Sequence, residues 1–320
     1  MVRCIALFCA TLVSVYFTYG WMWTAADPLS DAATVRESAT FAVALMAILL
    51  AHEMGHYVVA RRHGFELSLP YFIPVPGLAF GTFGAIIGLE SKPTSRTALL
   101  EMGAAGPIAG FVLSVICLAL GMGEIGPATC PEAAAPLPGA LAWVFEALNA
   151  VLAPLDALIA GLVEAPDEGH IVVSILGDPP VFKLLGQAML GEAPGRFDEL
   201  GPLTLAGWVG CLLTAMNLIP IGQLDGGHIL NAIAPRRAEL ASKVILGLIF
   251  AAGVLSWPGW AVWGFVVLML GAWRSLPVPM EEPLTRRAWV VAAIILVTFS
   301  LSFMPAPVSM DTMPDPCRGE

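Results

Sequence analysis

Two histidines and a glutamate stand in an apolar stretch of the chain, where ionisable side chains are costly. The segment 51–60 reads AHEMGHYVVA and follows an apolar run that begins at Ser38. Positions i and i+4 of a helix share one face, so His52 and His56 can hold one Zn²⁺. Glu53 then lies where it can act as general base on a water beside the metal. A bound metal would explain groups whose insertion costs about 2.5 kcal/mol or more each.

A catalytic zinc takes three protein ligands and keeps a fourth position open, so two histidines leave one ligand to find. The stretch 216–230, MNLIPIGQLDGGHIL, again carries polar residues at the end of an apolar helix. Pro220 and the neighbouring glycines interrupt that helix, which would let Asp225 turn inward. Asp225 could also cap the helix that follows it. His228 competes as the third ligand, but Asp225 is preferred because His228 lies beyond the glycine pair.

A stretch of strand-forming residues with spaced glycines, LAFGTFGAIIGLES (78–91), lies between the HEMGH helix and the next apolar segment. It is too short and too rich in glycine for a spanning helix. An open strand edge at membrane depth must face protein, water or a partner strand. Such an edge can hold an unwound peptide by strand addition, which makes Gly81, Thr82, Phe83 and Gly84 candidate substrate contacts. The alternative is a re-entrant packing loop.

The composition places these segments in a membrane protein. Of 320 residues, 58% are hydrophobic and only 12% are charged, and the mean hydropathy is +0.80. Soluble domains carry about 25% charged residues. We predict an all-α polytopic membrane protein with about six to eight transmembrane helices and a small membrane-embedded β-strand or hairpin, forming one domain over 1–320. The lipid bilayer is its surroundings, and the sequence has no basic patch or motif for nucleic acid.

Seven apolar segments are candidate membrane spans by length and hydropathy. They are 4–24, 38–60, 101–122, 203–221, 240–256, 259–273 and 287–304. With the amino terminus in the cytosol, 11 of the 15 Lys and Arg residues fall on the cytosolic side, as the positive-inside rule requires. The stretch 123–200 carries 11 acids against two bases and is predicted to be a non-cytosolic, interfacial insert. Its apolar parts, 141–163 and 171–190, are interpreted as interfacial helices, with two crossings as the alternative.

The motifs HEMGH, GTFGAII, AGPIAG and NLIPIGQLDGG occur in this order within residues 52–228. In this order they resemble the site-2 protease family of intramembrane zinc metalloproteases, in its bacterial and plastid-type branch without a PDZ domain. The resemblance implies one zinc per chain, held by His52, His56 and Asp225, with Glu53 as the catalytic base.

The same resemblance implies that Asn217 and Pro220 shape the wall that faces the substrate. At Gly110 the chain departs from the family pattern, because many members carry Asn there. The implied activity is hydrolysis of peptide bonds within or next to transmembrane segments of membrane-anchored proteins. We expect a bacterial inner membrane, with the active site toward the cytosolic side.

Two other functions use similar residues. A membrane transporter or metal-ion carrier could use the same polar groups as a transit site. Glu53 separates the two functions, because a transporter has no special need for a carboxylate between two ligands. A membrane protease of the prenyl-processing type also carries HExxH, but it needs a downstream Glu ligand for which the sequence has no motif.

Overall fold

The computed structural model describes residues 2–24, 27–77, 80–88, 95–127, 170–195, 198–274 and 283–314 of the chain. Most of these residues lie in α-helices, as the apolar runs predict. The described helices are α1 (Val2–Met22), α2 (Ala32–Arg62), α3 (Arg96–Gly121), α4 (Pro180–Met189), α5 (Pro202–Leu218), α6 (Asp225–Ile233), α7 (Ala238–Leu255), α8 (Gly259–Met269) and α9 (Arg286–Ser302). A helix forms at each of the seven predicted spans, and α4 and α6 are additional short helices.

Four described helices are long and apolar enough to cross a membrane. They are α1, α2, α7, and α3 together with the 3₁₀ turn that ends at Glu124. α5 and α8 are apolar but have only 17 and 11 residues, against about 20 for a full crossing. The prediction of a mostly helical chain is therefore confirmed, with four candidate membrane-spanning helices among the described residues, whereas the count of six to eight spans is not confirmed.

α2, α3 and α5 pack against one another, and α3 also packs against α6. Both α2 and α3 begin at a side chain that satisfies the free N–H groups of the first turn. Asp31 accepts hydrogen bonds from the backbone N–H groups of Ala33 and Thr34. Ser95 accepts one from the N–H of Ala98. These caps fix the first residues of α2, which carries HEMGH, and of α3, which packs against it.

α2 and α3 approach each other so closely that a glycine of one helix meets the backbone of the other. A Cβ on Gly55 would lie 2.8 Å from the carbonyl carbon of Ala105. Small residues at such positions let membrane helices pack backbone to backbone. The contact brings the HEMGH turn of α2 against the middle of α3.

The described strands form three separate antiparallel pairs. These are β1 (Tyr71–Pro74) with β2 (Thr82–Ile86), β3 (Gly126–Pro127) with β5 (Asp198–Glu199), and β4 (His170–Leu176) with β6 (Val308–Pro314). β2 lies within the predicted strand region 78–91, and its pairing with β1 makes the expected hairpin. β1 packs along α1, and β2 contacts both α1 and α2.

The prediction of an interfacial helix over 171–190 is wrong in its first half. β4 pairs residue by residue with β6 over this stretch. Its run IVVSI is β-branched at four of five positions, which favours a strand, because branched side chains pack well on a pleated surface. α4 starts only at Pro180, a position where the missing N–H of proline is harmless. The helix predicted over 141–163 lies outside the described residues.

Candidate active site

His52, His56 and Asp225 converge on one point between α2 and α6. The Nε2 atoms of the two histidines lie 3.1 Å apart. Asp225 reaches both rings, with Oδ2 at 3.2 Å from His52 Nε2 and Oδ1 at 3.2 Å from His56 Nε2. In the described part of the chain, this is the one group of three His, Cys, Asp or Glu residues whose ligand atoms lie close enough for a single metal ion.

These separations fit zinc. Metal–ligand bonds of 2.0–2.1 Å in a tetrahedral arrangement put the ligand atoms about 3.3 Å apart, close to the 3.1 and 3.2 Å found here. His56 Nδ1 donates a hydrogen bond to the backbone oxygen of Met102 at 2.8 Å. This bond fixes the ring orientation and leaves the Nε2 lone pair for a metal. Two imidazoles and one carboxylate are also a ligand set that catalytic zinc accepts.

Glycines of α3 leave the space that the two rings occupy. A Cβ on Gly106 would overlap Nε2 of His56. A Cβ on Gly110 would lie 3.2 Å from Nδ1 of His52. Gly110 is the position at which the chain departs from the family pattern, so the departure lies directly against a predicted zinc ligand.

Asp225 is brought to the histidines by a tight fold-back between α5 and α6. A Cβ on Gly226 would lie 2.8 Å from the carbonyl carbon of Ile219, and one on Gly227 would lie 2.6 Å from that of Ile221. A side chain at either position would collide with the preceding backbone. The DGG sequence therefore combines a predicted ligand with the two glycines that let the first turn of α6 lie against the end of α5.

Neighbouring helices hold this turn in place. Gly222 has φ of +45°, in the left-handed region that favours glycine. Its backbone N–H donates to Ser242 Oγ at 3.0 Å. The N–H of Gln223 donates to the backbone oxygen of Ala272 at 2.6 Å. The segment that carries Asp225, the predicted third ligand, is thus tied to α7 and to the chain after α8.

A new helix does begin at Asp225, as the alternative for this segment expects, but Asp225 does not cap it. Leu224 is the N-cap residue of α6 and makes no side-chain cap bond, so the capping role considered for Asp225 is wrong. His228, the competing ligand, lies outside the cluster of three. Its Nδ1 is buried and has no hydrogen-bond partner among the described residues.

Glu53 follows His52 on α2 and is half-buried. Its carboxylate is near enough to His56 and Asp225 to interact with both electrostatically. Within the described residues it forms neither a hydrogen bond nor an ion pair, so no protein group occupies its two oxygens. This arrangement suits the general base that the sequence predicts.

Asn217 and Pro220 flank the point where α5 ends. Asn217 is the second-last residue of α5, and Pro220 lies in the turn that leads to Asp225. Both are half-buried, and neither has a described hydrogen bond to the three ligands. They belong to the segment that carries Asp225, and their contact with substrate stays a prediction.

The four predicted contact residues of the hairpin lie at its turn and along β2. Thr82 Oγ1 donates across the hairpin to the backbone oxygen of Ile73 at 3.0 Å. Phe83 is 64% exposed, and Gly81 and Gly84 both have positive φ. β2 pairs with β1 on one side, and its other edge has no strand partner in the described ranges. Substrate contact at this edge stays a prediction.

Two features of the site were not predicted from the sequence. The hydrogen bond from His56 goes to a backbone oxygen, that of Met102, which side-chain type cannot reveal. The role of Gly106 depends on which helix lies opposite. Small residues such as those of GAAGPIAG favour close helix packing, but they do not show that the neighbour is a predicted zinc ligand.

Two curated plant proteins are similar to most of this chain. The Arabidopsis thaliana protein named probable zinc metalloprotease EGY1, chloroplastic, is 32% identical over 269 residues, covering 81% of this chain and 42% of the relative. The Oryza sativa subsp. indica protein named probable zinc metalloprotease EGY2, chloroplastic, is 30% identical over 276 residues, covering 84% and 43%. The chain therefore spans less than half the length of these relatives. Because they are chloroplast proteins, they do not support the expected bacterial inner membrane.

No solved structure matches the chain. The sequence model of peptidase family M50 matches residues 40–257. This range contains HEMGH on α2, the β1–β2 hairpin, and the DGG sequence at the start of α6. The resemblance found in the motifs is thereby confirmed. The chain belongs to peptidase family M50, the site-2 protease family.

Proposed function

We propose that this chain is an intramembrane zinc metalloprotease that cleaves membrane-anchored proteins within or next to their transmembrane segments. The observation that carries the proposal is the convergence of His52, His56 and Asp225 from two helices, with Glu53 uncommitted beside them. Ionisable groups in apolar helices need a functional reason. The plant relatives, which are named zinc metalloproteases, support zinc as the ion and peptide hydrolysis as the reaction.

The three ligands would hold one zinc ion per chain and leave a coordination position open. When bound, zinc acts as a Lewis acid that polarises a water and the scissile carbonyl. The carboxylate of Glu53 takes the proton from the attacking water and returns it to the leaving amine nitrogen. Met102 keeps the ring of His56 oriented through its backbone oxygen. Asn217 is proposed to bind the substrate backbone or to stabilise the developing oxyanion.

Substrate binding is proposed to occur at the free edge of β2. A helical substrate buries its carbonyls in its own hydrogen bonds, so a protease needs it extended. An unpaired strand edge provides backbone partners for an unwound segment. Phe83 and Ile86, which are 64% and 60% exposed, are the apolar side chains of β2 available to contact it. Gly81, Thr82 and Gly84 would let the substrate backbone approach.

The site is proposed to lie toward the cytosolic, positively charged side of the membrane. α2 ends with Arg61 and Arg62, less than two turns after His56. Arg96, at the start of α3, donates to the backbone oxygens of Ala232 and Ile233, at the end of α6. Basic residues therefore gather at the end of the bundle where α2 and α6 finish, and such residues favour the cytosolic side.

The test measures zinc and peptide cleavage on the same samples. Purified protein is reconstituted with a single-span reporter, and zinc is quantified by mass spectrometry. Glu53→Gln should keep its zinc and lose cleavage by about 10²- to 10⁴-fold, the usual contribution of a general base. Asp225→Ala should lose both. Wild-type cleavage by Glu53→Gln would show that the assigned base is wrong.

Transport is the second candidate function, because broken helices and buried ionisable groups also suit carriers. The same vesicles, loaded with a zinc-sensitive dye, separate the two functions. Zinc uptake without reporter cleavage would favour a carrier. Cleavage without uptake would favour the protease.

A further inference from the structure

α1 carries a line of buried hydroxyl groups inside an apolar, candidate membrane-spanning helix. Thr11, Ser14 and Thr18 are 0%, 6% and 1% exposed. Polar groups in a spanning helix must find partners inside the protein. Among the described residues, Thr11 bonds within α1, donating to the backbone oxygen of Leu7 at 2.8 Å. Ser14 and Thr18 instead reach the β1–β2 hairpin.

Both hydroxyls bind the chain that connects β1 to β2. Ser14 Oγ donates to the backbone oxygen of Gly81 at 2.7 Å. Thr18 Oγ1 accepts a hydrogen bond from the N–H of Gly77 at 3.0 Å and donates to the oxygen of Ser14 at 2.7 Å. All three bonds are buried, so the two anchor points on the hairpin connection are fixed by one continuous network.

The hairpin also rests directly on the backbone of α1. Gly81 has φ of +83°, and a Cβ there would lie 2.7 Å from Cα of Val15. Phe72 of β1 packs edge-on against Phe8, with ring centroids 5.2 Å apart. Apolar contact of this kind has no preferred direction, whereas hydrogen bonds fix a position. The hydroxyls therefore determine where along α1 the hairpin lies.

That position matters for a protease that binds its substrate by strand addition. Backbone pairing is the same at every residue, so nothing in the pairing itself prevents a substrate from slipping along β2. A slip of two residues keeps the same side chains facing the enzyme and moves the peptide by about 6.8 Å. α1 packs on the zinc-binding helix α2, with Tyr19 stacked on Phe41 at 4.6 Å. A hairpin fixed to α1 is thus fixed relative to His52 and His56.

We propose that Ser14 and Thr18 are positioning residues that select which peptide bond is cleaved. They hold the edge of β2 at one height relative to the ligands on α2. The substrate class is an extended segment of a membrane-anchored protein. This proposal rests on the proposed function, because it needs the hairpin to be the substrate strand partner.

The experiment maps cleavage sites in the reconstituted reporter by mass spectrometry of both products, with KM, kcat and zinc content measured in parallel. Ser14→Ala and Thr18→Val should spread cleavage over two or more neighbouring bonds and raise KM several-fold, with zinc unchanged. Thr18→Ser keeps the hydroxyl and should restore the single bond. Thr11→Val is the matched control, since it removes a buried threonine hydroxyl of the same helix whose described hydrogen bond stays within α1.

Two results would contradict the positioning role of Ser14 and Thr18. Cleavage by Ser14→Ala and Thr18→Val at the wild-type bond with wild-type KM would overturn the proposal. Equal scatter in Thr11→Val would overturn it too, because the effect would then follow from a weakened α1. Should Thr18→Val not fold, Ser14→Ala and Thr18→Ser still give the answer. A zinc-loaded wild type that cleaves nothing would refute the proposed function itself, and the positioning role with it.

Discussion

A methyl group at Gly106 would occupy the space of the His56 ring. An ideal Cβ there lies 2.5 Å from Cε1 of His56, and closer still to Cδ2 and Nε2. Non-bonded carbon atoms are at optimal separation near 3.5–4.0 Å. In Gly106→Ala, the ring must therefore retreat by about 1 Å, or α2 and α3 must separate by a similar distance.

That displacement is large on the scale of metal binding. Zinc–ligand distances vary by only about 0.2 Å around their ideal values. The ring is also held by the 2.8 Å bond to the oxygen of Met102, so it cannot turn aside without breaking that bond. Loss of an outer partner of a metal ligand costs 10- to 100-fold in affinity. Displacement of the ligand itself should cost at least about 100-fold.

Zinc affinity would be measured in detergent by competition with a chromogenic chelator, together with helix content and the melting temperature. Gly247→Ala is the matched control, because Gly247 also lies in an apolar helix and a Cβ there meets nothing within 4 Å. Wild-type affinity in a folded Gly106→Ala protein would refute the packing of His56 against α3. Equal losses in both variants would point to a general effect of alanine.

Three further changes test the surrounding structure. His228→Ala should keep zinc within about twofold of wild type, because the ring lies outside the ligand cluster, and a severe loss would return His228 to the ligand set. Gly222→Ala should lower both zinc content and melting temperature, since it forces a residue with φ of +45° into a position where Cβ lies 2.6 Å from Cα of Trp273. Asp31→Ala should lower the melting temperature, and Asp31→Asn should restore most of it as an alternative cap. Hydrogen bonds from the Thr34 side chain and N–H, then from Ser30 and Ala33, lower the pKa of Asp31 to about 2. Because the Asp31 pKa is lower in the folded chain than in the unfolded chain, ionised Asp31 stabilises the fold at pH values above the unfolded pKa. The difference in melting temperature between wild type and Asp31→Ala should therefore be constant above about pH 4 and vanish toward about pH 2.

The candidate metal site of His52, His56 and Asp225 follows largely from local sequence rules. The spacing of His52 and His56 requires only helical geometry, and their apolar surroundings mark them as exceptional. Asp225 is harder to identify as a candidate ligand, because it lies far along the chain from the two histidines. The polar residues and glycines around it nevertheless identify the segment. What local rules omit is the partner surface. Nothing in the sequence near His56 says that Met102 and Gly106 of another helix will face it.

The strands depend even more on partners that are distant in the sequence. A strand within 78–91 follows from its residue types, but the anchors of the hairpin on α1 depend on how α1 packs. The sequence predicts β4 as part of an interfacial helix, because its run is apolar and lies beside the membrane. Its partner β6 lies more than a hundred residues away, so the pairing that decides its conformation leaves no local signal.

The β4–β6 ribbon cannot form until α5 to α9 have been made. β4 ends at Leu176 and β6 begins at Val308, so about 130 residues separate them. At a synthesis rate of 5–20 residues per second, the ribosome needs roughly 7 to 26 s to produce the partner strand. During that time the apolar strand β4 lacks its partner strand. Unpaired strand edges of this kind promote aggregation. β4 therefore stays unpaired with β6 until α9 has been synthesised, and the ribbon is among the last parts of this fold to form.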